Sequence, residues 1–112
     1  LFGCGGDRDK SKRFTMGQIA QKYAKKVYIT DDNPRTENPD NIRLSILKGC
    51  PKGIMINNRM KAIGEAINKL KRKEVLVIAG KGHEKFQIIN QRKIIFDDVK
   101  IANKFIKKRN ND

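Results

Sequence analysis

Residues 27–57 read VYITDDNPRTENPDNIRLSILKGCPKGIMIN, and the fold turns on how this stretch is read. Val27 to Thr30 is short, β-branched and aromatic, the composition of a strand. Asn38 followed by Pro39 marks a helix start: an amide cap, then proline at the first helical position. Ile42, Ile46 and Leu47 supply that helix with an apolar face, and Gly49 and Pro51 stop it. Gly53 to Asn57 reads as a second strand.

The same alternation continues in both directions. Upstream, Leu1 to Cys4 is an apolar segment ending in Gly5-Gly6, and a charged loop, GGDRDKSKR, follows. Thr15-x-x-Gln18 offers a capping box. Behind it Met16, Ile19, Ala20, Tyr23, Ala24 and Val27 recur at helical spacing. Downstream, Met60, Ile63, Ile67 and Leu70 line a third helix. Glu74 to Ala79 (EVLVIA) is a continuous apolar run, expected of a strand buried on both faces. It ends in Gly80-Lys81-Gly82-His83-Glu84. Phe86 to Ile89 and Lys93 to Phe96 flank Asn90-Gln91-Arg92 and read as a hairpin. Asp97 and Asp98 sit where a helix N-terminus favours acids. Val99, Ala102, Phe105 and Ile106 continue that helix, Lys107 to Arg109 suit its C-terminal end, and the tail NND reads as frayed.

Strands alternating with helices predict an α/β domain over residues 1–112: a three-layer, Rossmann-like arrangement with a mainly parallel sheet plus a C-terminal hairpin. A chain of 112 residues has room for one core. In such sheets ligands bind outside the carboxyl ends of the strands. The loops leaving those ends are GGDRDKSKR, DDNPR and GKGHE. They are far apart in sequence, yet this topology places them along one rim.

The net charge of +14 raises the question of nucleic acid. Composition argues against it. Lys, Ile and Asn are abundant together along the whole chain, as in proteomes shaped by AT-rich coding. The basic residues form no long block and no interleaved basic–aromatic stripe. Cys4 and Cys50 make no CxxC pair, and with a single histidine they are too few for a structural zinc site. The chain shows no signal peptide and no run long enough to span a bilayer, so free thiols, a cytoplasmic location and no membrane association are expected. Leu1-Phe2-Gly3 reads as the end of a buried strand, so a piece of a longer protein is expected.

Neither glycine-rich loop is a phosphate cradle by pattern. No GxxxxGK(S/T) occurs, and Arg8 stands where GxGxxG needs its third glycine. What sets the first loop apart is charge: Asp7, Arg8, Asp9, Lys10, Lys12 and Arg13 crowd one short segment. Asp32, Asn33 and Pro34 are turn formers, but a turn does not need Arg35. A guanidinium held after a proline-stiffened turn suits a bidentate grip on carboxylate. Glu84, beside glycines that let a ligand approach the backbone, can accept from an ammonium group. With Arg8, Asp32, Asn33 and Glu84, the rim suits a ligand bearing both carboxylate and ammonium.

FGCGGDRDKSKR, then TDDNPRTENP, then AGKGHEKFQI, in that order and spacing, resemble the C-terminal domain of the Mur ligases, and the resemblance covers essentially the whole chain. It implies an ATP-dependent ligase of peptidoglycan assembly with further domains for the UDP-sugar and for ATP. ATP with magnesium would phosphorylate the D-Glu carboxylate of UDP-MurNAc-L-Ala-D-Glu, and the amine of the incoming amino acid would attack the acyl phosphate. DNPR resembles the motif of members that add meso-2,6-diaminopimelate, with lysine-adding members usually differing there. Lysine would leave Arg35 unpaired, and discrimination by such a buried polar group can reach roughly 10⁴-fold.

By matching position the resemblance carries over Arg8, Asp32, Asn33, Pro34, Arg35, Gly80 and Glu84 as diaminopimelate contacts. Asp7 and Lys10 carry over as contacts to ATP, with no catalytic residue and no metal ligand in this segment. Ser11 and Phe14 stand where Gly and Pro are common, beside the motif rather than in it. The alternatives are a lysine-adding domain of the same family, a freestanding α/β ligand-binding domain, and a basic nucleic-acid-binding module.

Overall fold

The β-branched and aromatic run after Lys26 does pair with GIMIN, and in parallel. β1 (Tyr28–Ile29) lies beside β2 (Ile54–Met55), with Tyr28 opposite Ile54 and Ile29 opposite Met55. The computed structural model describes residues 1–111. Between these strands runs α2 (Pro39–Gly49), capped by the Asn38 side chain, which accepts from the Asp40 N–H. Before them lies α1 (Ser11–Tyr23); after them come α3 (Arg59–Lys69), the antiparallel pair β3 (Phe86–Ile89) and β4 (Arg92–Ile95), and α4 (Asp98–Asn110).

On the other edge of β1, Phe2 bridges Ile29 in parallel. The Phe2 N–H donates to the Tyr28 carbonyl at 3.1 Å, and Thr30 N–H donates to Phe2 at 3.0 Å. Beyond Phe2, the Ala79 N–H reaches the Leu1 carbonyl at 2.9 Å, and the Leu1 amine reaches the Val77 carbonyl at 2.8 Å. The central layer therefore runs EVLVIA, Leu1-Phe2, β1, β2. Alternation along β1 sends neighbouring residues to opposite faces. Val27 and Ile29 pack with Ile42, Ile46 and Cys50, while Tyr28 borders the same groove as Ala66 of α3. α1 packs on α2 and α3 on α4, which gives the three layers expected.

Five local expectations change. α1 begins at Ser11, not at the Thr15 box. The Asp9 carboxylate closes its first turn, accepting from Ser11 N–H at 2.9 Å and its hydroxyl at 2.7 Å. Nor does α1 bury its large apolar residues: Arg13 and Gly17 face inward, while Met16, Ile19 and Tyr23 are exposed. The cause is backbone proximity. A Cβ on Gly17 would stand 2.3 Å from the Ile46 carbonyl oxygen, and one on Gly49 would stand 2.0 Å from that of Phe14. The helices meet along their glycines, so the bulkier stripe points elsewhere.

EVLVIA is extended but not buried on both faces. Leu76 and Ile78 are half-buried, whereas Val75 and Val77 are 85% and 66% exposed. Among the described residues its sheet bonds come from Leu1 alone, too short a ladder for a regular strand. In α3, Met60 is exposed, and the inward stripe is Ala62, Ile63, Ala66 and Ile67. Finally, β4 sits one residue earlier than expected. Asn110 still closes α4, and Asp112 of the NND tail lies outside the described residues. Among the described residues no helix is long and apolar enough to cross a membrane.

Candidate functional site

The charged loop after Gly5 is not free in solvent; it is sewn to the DNPR turn. Gly6 N–H donates to the Asn33 carbonyl at 2.8 Å, and Asp7 N–H to Glu37 Oε1 at 3.1 Å. Asp7 Oδ2 accepts from the Thr36 hydroxyl at 2.7 Å and from its N–H at 3.1 Å. The hydroxyl first, then the N–H, hold this carboxyl below the usual carboxylate range. Beneath the loop Arg13, 2% exposed, donates to both oxygens of Glu37 at 2.6 and 2.9 Å and to the Gly5 carbonyl at 3.0 Å. That bidentate bond pushes the Glu37 carboxyl down to about 2.

The GKGHE loop is held from the other side by Lys81, whose side chain is fully buried. Its Nζ donates to Asn33 Oδ1 at 3.0 Å and to the Phe86 carbonyl at 2.9 Å. Asp32 Oδ1 stands 2.9 Å away as an ion pair without hydrogen-bond alignment. Asn33, itself buried, also accepts from Ile88 N–H at 2.9 Å, so its Nδ2 is turned toward Glu84 Oε1 at 3.3 Å. Deeper still, Arg59 of α3 grips Asp98 at the start of α4 through Nε at 2.9 Å and NH2 at 2.7 Å. The same guanidinium donates to the carbonyls of Asp31 and Ala79, the residues that enter the DNPR and GKGHE loops.

Arg35 has φ +54°, a left-handed backbone that non-glycine residues adopt rarely and at some strain. It is pinned there by two bonds to the hairpin: its N–H to the Ile88 carbonyl at 3.0 Å, and Asn90 N–H to its own carbonyl at 2.6 Å. Its NH1 rests on the Gly6 carbonyl at 2.9 Å. A Cβ on Gly5 would meet Arg35 NH1 at 2.9 Å and Arg8 Cγ at 3.5 Å, so the two arginines flank one glycine. A cleft of about 350 Å³ opens beside them, bordered by Gly3, Gly5, Arg8, Asp32 and Gly80. Gly80 has φ +110°, and a Cβ added there would stand 3.5 Å from Asp32 Oδ2.

Of the sequence-predicted residues, Arg8, Asp32 and Gly80 line this cleft. Asn33 and Glu84 are bonded to each other and do not line it, Arg35 NH1 lies near Gly5, and Pro34 is buried against Gly6. Asp7 and Lys10 lie apart, on the outer side of the loop, with Lys10 exposed and 3.9 Å from Glu37. Sequence reasoning missed Lys81, Arg13, Glu37, Arg59 and Asp98. The one available signal was Lys81 between two glycines, a poor place for a solvated side chain to be needed. Among the described residues no cluster of three or more His, Cys, Asp or Glu could hold a metal.

The model of the family "Mur ligase, glutamate ligase domain" matches residues 1–82. The chain is 52% identical over 109 residues to a Rickettsia rickettsii protein named UDP-N-acetylmuramoyl-L-alanyl-D-glutamate–2,6-diaminopimelate ligase, covering 96% of this chain and 23% of that one. A protein of the same name from Buchnera aphidicola subsp. Baizongia pistaciae is 50% identical over 115 residues, covering 100% and 23%. A solved structure bearing that name superposes with a TM-score of 0.92 at 40% identity, over 97% of this chain and 23% of the other. The chain thus spans about a quarter of the length of the curated relatives it matches.

Proposed function

The chain belongs to the Mur ligase family, in its glutamate ligase domain, and from that premise we propose that it is the amino-acid-binding domain of a MurE-type ligase that adds meso-2,6-diaminopimelate to UDP-MurNAc-L-Ala-D-Glu. The observation that carries this reading is the charge arrangement around Gly5 and Gly80. Arg8 and Arg35 flank Gly5, while Asp32 and Glu84 stand on the Gly80 side, joined through Asn33 and Lys81. Two arginines on one side and two carboxylates held by Lys81 and Asn33 on the other match an amino acid with a carboxylate at its far end. Arg35 has only NH1 engaged among the described residues, which leaves NH2 and Nε for an incoming carboxylate. Lysine, with no carboxylate there, would leave that face unpaired.

The reaction this reading assigns to the whole ligase needs ATP and magnesium, and this chain touches at most one edge of the nucleotide. Asp7 Oδ1 has no partner among the described residues, so it can accept from a hydroxyl of a sugar, and exposed Lys10 can approach phosphate. The chemistry supplied by ATP is activation of a carboxyl group. The residues here bind the amino acid and orient its amine; they supply no nucleophile. The expected location is the cytoplasm, where UDP-linked precursors are made.

In the full-length ligase, Arg35→Ala is expected to raise the KM for diaminopimelate by about 10- to 100-fold, the loss of a charge-assisted pair, and to leave the KM for ATP nearly unchanged. Steady-state kinetics with each substrate varied checks this. An equal rise in both constants, or lysine competing as well as diaminopimelate, would count against the assignment.

A further inference from the structure

We propose that Lys81 is the residue that orients the carboxylate side of this site, a positioning role on top of the amino-acid-binding reading and dependent on it. Lys81 Nζ has three protons and three near acceptors: Asn33 Oδ1, the Phe86 carbonyl and Asp32 Oδ1. None of its side chain reaches solvent. An ammonium group buried this far is an expensive fastener, and a neutral donor would suffice to hold two loops together. The ammonium group does two things from one atom.

First, it fixes Asp32. With Oδ1 paired to Lys81, Oδ2 is the oxygen left facing the Gly80 backbone and the cleft. Second, it fixes the amide of Asn33. Oδ1 must face both Lys81 and the Ile88 N–H, which are donors. The NH2 group is then forced toward Glu84, where it donates to Oε1 at 3.3 Å. Glu84 itself is partly exposed and forms only a loose ion pair with Lys81 at 4.0 Å, so its hydrogen bond from Asn33 at 3.3 Å is the closer link back to Lys81. Both carboxylates suited to an ammonium group are thus aimed from one buried nitrogen.

The test uses the full-length ligase. Lys81→Met keeps an unbranched side chain one atom shorter and removes the charge and donors. It is expected to raise the KM for diaminopimelate about 10- to 100-fold, with kcat and the KM for ATP changed far less. In a Glu84→Gln background the same substitution should raise KM by much less, because the two act through one chain of bonds. Fully additive effects would overturn the role. A fall in kcat with both KM values unmoved would overturn it as well. If Lys81→Met fails to fold, Asn33→Asp decides. It keeps an acceptor for Lys81 but sets a carboxylate against Glu84, so the KM for diaminopimelate should rise at an unchanged melting temperature. An unchanged KM there would refute the chain from Lys81 to Glu84. Arg35→Ala, run in parallel, separates the two ideas: if it too leaves that KM alone, the amino-acid-binding reading is what has failed.

Discussion

The carboxylate of Glu37 takes both arms of a nearly fully buried guanidinium and a backbone N–H besides. Its pKa is brought from the ordinary 4.5 to about 2, first by the Arg13 bonds. A carboxyl whose folded value lies below its unfolded one stabilises the fold fully above the unfolded value. That contribution is lost as the pH falls toward the folded value. The loop that carries Asp7 and Arg8 should therefore loosen between about pH 4.5 and pH 2. Glu37→Gln should be less stable than the parent at neutral pH, and the gap should close across that window. Urea unfolding at a series of pH values measures it, and a gap independent of pH would contradict the argument. The same residues explain what was legible at this scale. Arg8, Asp32, Asn33, Arg35 and Glu84 were singled out because polar turn residues and an unneeded arginine stand out against a plain turn. Arg13, Glu37 and Lys81 were not, because a buried charge leaves no periodic mark. In a chain this rich in lysine and arginine, each reads as one more solvated side chain.

Between elements, the decisive residues are the smallest. α1 and α2 touch through Gly17 and Gly49, where added methyl groups would sit 2.3 Å from the Ile46 oxygen and 2.0 Å from the Phe14 oxygen. Backbone oxygens cannot swing aside as a long side chain can. Gly49→Ala should push the helices apart and destabilise the fold by about 1–3 kcal/mol, read as a lower melting temperature. Gly17→Ala should act similarly, and the double variant should lose less than the sum, since both open one contact. The helices themselves were legible from caps and spacing: Asn38-Pro39 starts α2 where expected. The facing was not. Apolar periodicity in α1 pointed to Met16, Ile19 and Tyr23, all exposed here, because hydropathy patterns weigh a glycine as nothing when it is the contact. EVLVIA misled for a related reason. Unbroken apolar composition signals covering on both faces, and in this chain only Leu76 and Ile78 are covered.

Across the whole molecule, one ion pair joins parts that the chain order keeps apart. Arg59 begins α3, Asp98 begins α4, and the Asp31 and Ala79 carbonyls end the central segments that feed the DNPR and GKGHE loops. One guanidinium therefore holds the α3–α4 layer to the rim of the sheet. Its position follows from the βαβ order, in which helix starts and strand ends of successive units fall at the same edge. Neither residue was singled out in the sequence, where Asp98 read only as a favourable charge at a helix start. Both are almost fully buried, which fixes the prediction. Asp98→Leu leaves Arg59 charged and unpaired in the interior and should destabilise the chain by about 3–5 kcal/mol. That is a large part of the roughly 5–15 kcal/mol that holds a domain together. Replacing both, Arg59→Met with Asp98→Leu, removes the stranded charge but leaves the Asp31 and Ala79 carbonyls without their donor. The double variant should recover part of the loss, not all of it. Urea unfolding of the two variants separates these contributions. Full recovery would mean that the pair acts only as mutual neutralisation; partial recovery means that Arg59 also ties the two loop entrances to the core.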